Sequence, residues 1–274
     1  MSATRNQKCS LLLLTVAVLS RFTGVAGGCA AGYFGPLQPR VLLVHTESQL
    51  TLVDNVASKL MSTGNFATVG SFDATSSGPS PSVLASYDAL LVWASPNILF
   101  YDSTQIGNLL ADFWDQGGTV VLTSAANVLN RIQGRFGQSY SLIGGGGGLI
   151  QAADTIGAVL EPNSPLMADV SSLHADAAAG SSGVTANGGV VVARWTSNRP
   201  LVVRGARAGR LVAELNLYPL AKSSSVPSGW VGSGTELMRN ALLYSTCAPC
   251  GAGNYSLGGT PSCDACPAGT ASGA

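Results

Sequence analysis

Charge is scarce in this chain of 274 residues. Lysine and arginine number 14, aspartate and glutamate 14, so the formal net charge is +0 and only 10% of residues are charged. A nucleic acid or an anionic lipid surface needs a basic face, and this composition offers none. No cysteine falls between Cys29 and Cys247, and no Gly-x-Ser-x-Gly elbow occurs, so two familiar hydrolytic nucleophiles are missing from the long middle of the chain. The five consecutive glycines Gly144 to Gly148 lack the Lys-Ser/Thr ending of a phosphate loop and the spacing of a dinucleotide fingerprint. They read as a loop, because polyglycine is too rich in backbone freedom to specify a nest. No cofactor is therefore expected. After the first 27 residues no apolar run is long enough to span a bilayer.

What is present is apolar. Hydrophobic residues make up 46% and glycines number 34, which suits one substantial core with many turns and something small beside it. Residues 1–27 read as a secretory signal: Arg5 and Lys8 lead, Leu11 to Leu19 is apolar, and Val25-Ala-Gly27 offers small residues for cleavage. A membrane anchor is the alternative, but about nine apolar residues are too few to cross a bilayer. The expected location is accordingly secreted, or the extracellular face of the cell surface. Residues 28–39 form a Gly/Pro-rich lead-in.

The most legible stretch is Tyr87 to Thr123. Ala89-Leu-Leu-Val-Trp93 reads as a buried strand. Ile106, Leu109, Leu110 and Phe113 then recur at the spacing of one helix face. Asp102 stands where an N-cap should, with Gln105 three residues on, and Gly117-Gly118 stops the helix before a strand from Thr119 to Thr123. Strand, helix and strand at this spacing make a right-handed βαβ unit. Upstream, Val41 to Val44 is a strand, a helix buries Val53, Val56, Ala57 and Leu60, and Ala67 to Phe72 is a second strand. This alternation predicts an α/β fold, a doubly wound, mostly parallel sheet of the flavodoxin type over residues 40–246. Further strands are expected at Val190 to Trp195, Leu201 to Val203 and Leu211 to Leu217. Ser233 to Glu236 has the form of a capping box opening a last helix.

The segments VLLVH, YDALLVWASPN, LADFWDQGGTVVLT and GTELMRNALLYS together resemble class I glutamine-amidotransferase-like domains, with the trehalose-utilisation (ThuA-like) branch as the nearest relative suggested. The resemblance spans Arg40 to Thr246 and implies the scaffold. That family places a cysteine nucleophile on a strand-to-helix turn, and its absence here removes the family's chemistry. In residues 247–274 the run Cys247-Ala-Pro-Cys250, Gly-Asn-Tyr-Ser256, then Cys263-Asp-Ala-Cys266-Pro-Ala-Gly-Thr270, resembles the ephrin-receptor-like cysteine-rich repeat. The chain ends inside a second unit of that repeat, which predicts a fragment. Two CxxC pairs about twelve residues apart also fit a zinc ribbon. An oxidising compartment favours disulfides instead, as in a small disulfide-rich C-terminal repeat. The pairing this suggests joins Cys250 to Cys263 and Cys29 to Cys247, and leaves Cys266 for a partner beyond Ala274. Asn254-Tyr-Ser256 is a glycosylation sequon, the mark of a glycoprotein.

In an open parallel sheet, ligands bind beyond the carboxyl ends of the strands. The candidates delivered there are His45, Glu47, Asp73, Ser95 and Asn97. Two residues one position apart do not make a metal set, so no metal is expected from His45 and Glu47. His174 has no evident partner. Trp93, Phe113 and Trp114 read as core, whereas Phe100 and Tyr101 offer an exposed aromatic contact. The expected function is a non-catalytic extracellular binding or structural module, an α/β head on a cysteine-rich stalk. Its partner would be an unidentified protein or carbohydrate ligand, and membrane attachment would come only through sequence beyond Ala274. The alternative is a secreted hydrolase using His45 with Glu47 or Asp73, with or without the help of a metal.

Overall fold

The computed structural model describes residues 33–124, 126, 132–144, 149–150, 152–176, 180–181, 184–223, 226, 229–249, 254–255 and 264–265. Two compact units emerge, Gln38–Thr246 and a smaller one assembled from Met1–Leu37 and Cys247–Ala274. In the smaller unit Tyr33–Phe34 pairs antiparallel with Ala248–Pro249, and Asn254–Tyr255 with Asp264–Ala265. Cys247 is disulfide-bonded, and its partner lies outside the described residues, as do Cys29, Cys250, Cys263 and Cys266. The backbone of Asn254 is described and its side chain is not.

The first half of the larger unit is a parallel sheet. Its strands are β1 (Arg40–His45), β2 (Thr68–Asp73), β3 (Ala89–Val92) and β4 (Thr119–Leu122), in the order β2-β1-β3-β4. Central strands buried on both faces must be apolar at consecutive positions, which is why Val41 to Val44 and Ala89 to Val92 are unbroken runs. On one face Leu43, Leu91 and Val121 pack against Val53, Val56 and Leu60 of α1 (Leu50–Ser62). On the other, Leu42, Val44, Leu90 and Leu122 pack against Ile106, Leu110 and Trp114. Those three belong to α3 (Ser103–Asp115), which follows the four-residue α2 (Pro81–Leu84). Asp102 caps α3 by accepting from the backbone N–H groups of Thr104 and Gln105 at 2.9 Å each. Gly117 ends the turn after it at φ +101°, a conformation that only glycine adopts cheaply.

The second half corrects the expected fold class. Six strands, β5 (Asp154–Val159), β6 (Leu173–Ala175), β7 (Val190–Trp195), β8 (Pro200–Arg207), β9 (Arg210–Leu215) and β10 (Trp230–Gly232), form a sheet ordered β9-β8-β7-β5-β6-β10. Every neighbouring pair is antiparallel. The chain as a whole is therefore mostly antiparallel, with few helices, and is not a doubly wound flavodoxin-like sheet. The physical cause is the connections. After Leu122 the helical crossovers that parallel strands require stop, and tight turns at Asn198 (φ +67°) and Ala208-Gly209 (φ +49° and +77°) make hairpins instead.

One element joins the two halves. β9 runs alongside β4: Arg210 reaches the carbonyls of Trp114, Gly117 and Gly118, and the N–H of Ser124 donates to Leu217 at the other end. α4 (Gly234–Thr246) locks the seam, because Ser245 Oγ accepts from Ala213 N–H while its carbonyl accepts from Thr119 Oγ1. The hydroxyl of Ser233 is spent on the N–H groups of Ser171 and Ser172 rather than on its own helix, so the expected capping box does not form there. The N-cap of α1, Gln49, likewise makes no side-chain cap bond. Among the described residues no helix is long and apolar enough to cross a membrane.

Candidate functional site

The register of the parallel strands sets a row at their carboxyl ends. His45 pairs with Asp73, the N–H of Trp93 donates to Val44 and that of Thr123 to Val92. Asp73, His45, Trp93 and Thr123 thus stand side by side across the sheet. His45 and Trp93 are fully buried, and their rings stack with centroids 5.4 Å apart and planes at 28°.

His45 is held in one state. Its Nδ1 accepts the backbone N–H of Glu47 at 3.0 Å, which places the ring proton on Nε2. Burial pushes the imidazole below its ordinary pKa, against a smaller opposing pull from Asp73, so the ring is neutral. Nε2 is buried and has no partner among the described residues.

Glu47 follows two residues on and is only 6% exposed. Its Oε1 accepts from Trp93 Nε1 at 3.2 Å and from the hydroxyl of Tyr218. Burial raises the carboxyl above the usual range, the two hydrogen bonds working the other way. Tyr218 is raised in turn by its own burial and by the charge of Glu47, with the Ser95 hydroxyl bonding to it and opposing the shift. Among the described residues no lysine or arginine acts on His45 or Glu47. Thr46 fastens the rim: Oγ1 donates to Ile98 at 2.8 Å and accepts from Ser95 N–H at 2.8 Å.

Of the five candidates, the fold brings His45, Glu47 and Ser95 together. Asp73 stands in register beside His45 but is exposed, its Oδ1 accepting from Thr75 N–H at 2.9 Å. Asn97 is exposed and makes no hydrogen bond to the group among the described residues. Tyr218 was missed. It lies 171 positions from Glu47, and only the seam between β9 and β4 carries it there. Trp93 belongs to the core as expected, yet its indole N–H also serves Glu47. Phe100 is buried at 5% and Tyr101 exposed at 61%, so only one of that aromatic pair faces solvent. His174 does have partners, Thr155 Oγ1 at 3.1 Å and Asp176 Oδ1 at 2.9 Å. Among the described residues no three His, Cys, Asp or Glu side chains could hold a metal ion.

The fold has counterparts among solved structures. Cytoplasmic Protein STM3548 from Salmonella typhimurium is similar at a TM-score of 0.55 and 14% identity, over 77% of this chain and 99% of its own. Cytoplasmic Protein STM1381 from Salmonella typhimurium LT2 is similar at 0.52 and 12%, over 76% and 99%. An exo-beta-1,4-mannosidase, Op5Man5 from Opitutaceae bacterium strain TAV5, reaches a TM-score of 0.43 at 13% identity, over 66% of this chain and 31% of its own, and supports no argument. No protein-family model and no curated protein matches the sequence. At these identities the likeness shows the fold alone.

The descriptions of these two structures run against one expectation. Both proteins of similar fold are described as cytoplasmic, against the secreted, extracellular glycoprotein expected from residues 1–27. That expectation rested on the composition of the first 27 residues and on the spacing of the cysteines, nearly all of it outside the described residues. The cysteine-rich character expected with it is withdrawn for the chain as a whole, in which six of 274 residues are cysteine, while Cys247 itself is disulfide-bonded.

Proposed function

We propose that the Gln38–Thr246 unit is a non-catalytic ligand-binding module whose site is built from His45, Glu47 and Tyr218 at the carboxyl ends of the parallel strands. The observation that carries this reading is the Nε2–H of His45, a buried donor with no partner among the described residues. A buried polar group in that state costs free energy until water or a ligand atom meets it. The resemblance to amidotransferase-like domains that lack their nucleophile supports the same conclusion, since such a scaffold retains the crevice and loses the chemistry. The hydrolase alternative finds no support in the geometry. The Nδ1 of His45 is committed to the backbone of Glu47, and the Glu47 carboxyl to Trp93 and Tyr218, so the two side chains make no acid–base dyad.

The test is a thermal-shift screen of saccharides, small acids, amines and peptides on the full chain, repeated on His45→Gln. Binding only to the native state adds about 2.7 kcal/mol at a hundredfold excess over Kd. The expected result is a melting-point rise of several degrees in the wild type that His45→Gln loses. A library in which no compound shifts the wild type more than the variant would refute the module.

A further inference from the structure

The charge balance of this site goes beyond binding in general and rests on the reading just given. Elsewhere in the protein several carboxylates are matched by a guanidinium. Asp154 has Arg199 at 2.7 Å, Glu161 has Arg204 at 2.7 Å and Asp88 has Arg40 at 2.9 Å. Two buried glutamates break the pattern. Glu214 is sealed in the interior and served by backbone N–H groups. Glu47 is different, because it lies at the strand ends, where ligands enter folds of this kind. Both of its donors converge on Oε1, and Oε2 has no hydrogen-bond partner among the described residues. Among the described residues the groups that bear on it are Tyr218, from the segment after β9, and Trp93; neutral His45 stands two positions before it, with Asp73 acting on that ring, and none of these supplies a positive charge.

An anionic ligand would set a second negative charge beside a carboxyl that already lacks a counterion, and low dielectric magnifies that repulsion. A neutral ligand would leave Oε2 without a charge partner. An ammonium supplies the missing charge and N–H donors together. The Nε2–H of His45 then asks the same ligand for an acceptor.

We propose that this site takes a small organic cation, a primary ammonium compound that also carries an oxygen acceptor, with the ammonium on Glu47 Oε2 and the oxygen on His45 Nε2–H. The ammonium favours the ionised form of Glu47. Binding in the range where Glu47 is still protonated therefore releases a proton, and affinity rises with pH as long as the amine stays charged.

Three compounds on one carbon skeleton test this: 2-amino-1,3-propanediol, glycerol and glycerate, cationic, neutral and anionic in turn. The readout is the indole N–H resonance of Trp93 in the 15N-labelled full chain, assigned with Trp93→Phe, since that proton sits on Glu47. The amine is expected to shift it saturably, at least tenfold more tightly than glycerol, and more tightly at pH 7 than at pH 5. Glu47→Gln is expected to lose tenfold or more while keeping a dispersed spectrum, the sign that it still folds. Glycerol or glycerate binding as well as the amine, an affinity falling with pH, or an unchanged affinity in Glu47→Gln would each overturn the cation assignment. If none of the three binds while compounds from the thermal-shift screen do so through His45, the cation reading falls and the module stands. If no compound of any class binds, both fall.

Discussion

Glu214 offers the sharpest quantitative test of this structure. It sits on β9 at 1% exposure, accepting from Ile143 N–H at 2.8 Å and from Ser141 Oγ at 3.4 Å, while Oε1 has no partner among the described residues. Burial pushes its carboxyl from an ordinary 4.5 up to about 7, the hydrogen bonds and Arg207 opposing the shift. A raised acid binds its proton more tightly in the folded than in the unfolded chain. Its contribution is thus fully present below pH 4.5 and is lost as pH rises through about 7. At about 1.4 kcal/mol per pH unit, the interval amounts to roughly 3 kcal/mol, an upper figure. The perturbation is Glu214→Gln, which keeps an acceptor for Ile143 and cannot ionise. The buried amide it leaves without an acceptor lowers stability by about 1–3 kcal/mol, but by the same amount at every pH. The assay is urea unfolding of both proteins from pH 4.5 to 8. Glu47 and His45 are present in both, as are the carboxylates held low by arginine, so their titrations cancel in the difference. The wild type is expected to lose about 3 kcal/mol relative to the variant across this range, nearly all of it below pH 7.5. Parallel profiles, within about 0.5 kcal/mol, would refute a buried Glu214 whose desolvation outweighs its hydrogen bonds and Arg207.

Two further substitutions test the packing. Asp154→Ala strips Arg199, whose side chain is only 11% exposed, of its carboxylate partner and leaves Thr196 and Ser197 without an acceptor. It is expected to cost about 3–5 kcal/mol in urea unfolding. Arg135→Ala removes an exposed pair to Asp112 and Asp115 and is expected to cost no more than about 1 kcal/mol, so equal losses would contradict the burial. Gly107→Ala would gain about 1 kcal/mol from helix propensity alone. Here the added Cβ would lie 1.8 Å from the carbonyl oxygen of Gln133, so a net loss of about 1–3 kcal/mol is expected, and a higher melting point would refute that contact.

Much of the first half was legible because its information is local. The apolar runs at Val41 and Ala89, the i, i+3, i+4 face of α3, the Asp102 cap and the Gly117 stop all act within a few residues of themselves. His45, Glu47 and Ser95 could be named for a related reason, since a buried parallel strand must deliver whatever follows it to the carboxyl edge. The second half resisted. Val190 to Trp195 could be read as a strand, but nothing local says whether its neighbours run parallel or antiparallel, and β5, β6 and β10 are too short or too polar to announce themselves. The capping box at Ser233 failed because two backbone N–H groups from residues 171 and 172 outcompete the helix for its hydroxyl.

By itself, then, the sequence determined where the parallel strands begin and end and which polar residues stand past them, because hydrophobic periodicity and capping are short-range. Only the tertiary structure decided that hairpins rather than crossovers complete the fold, that β9 lies along β4, and that Tyr218 closes on Glu47. The last two depend on which surfaces meet across separations of 92 to 171 residues, and the free energy that chooses among all three is spread over the whole core rather than written at any one position.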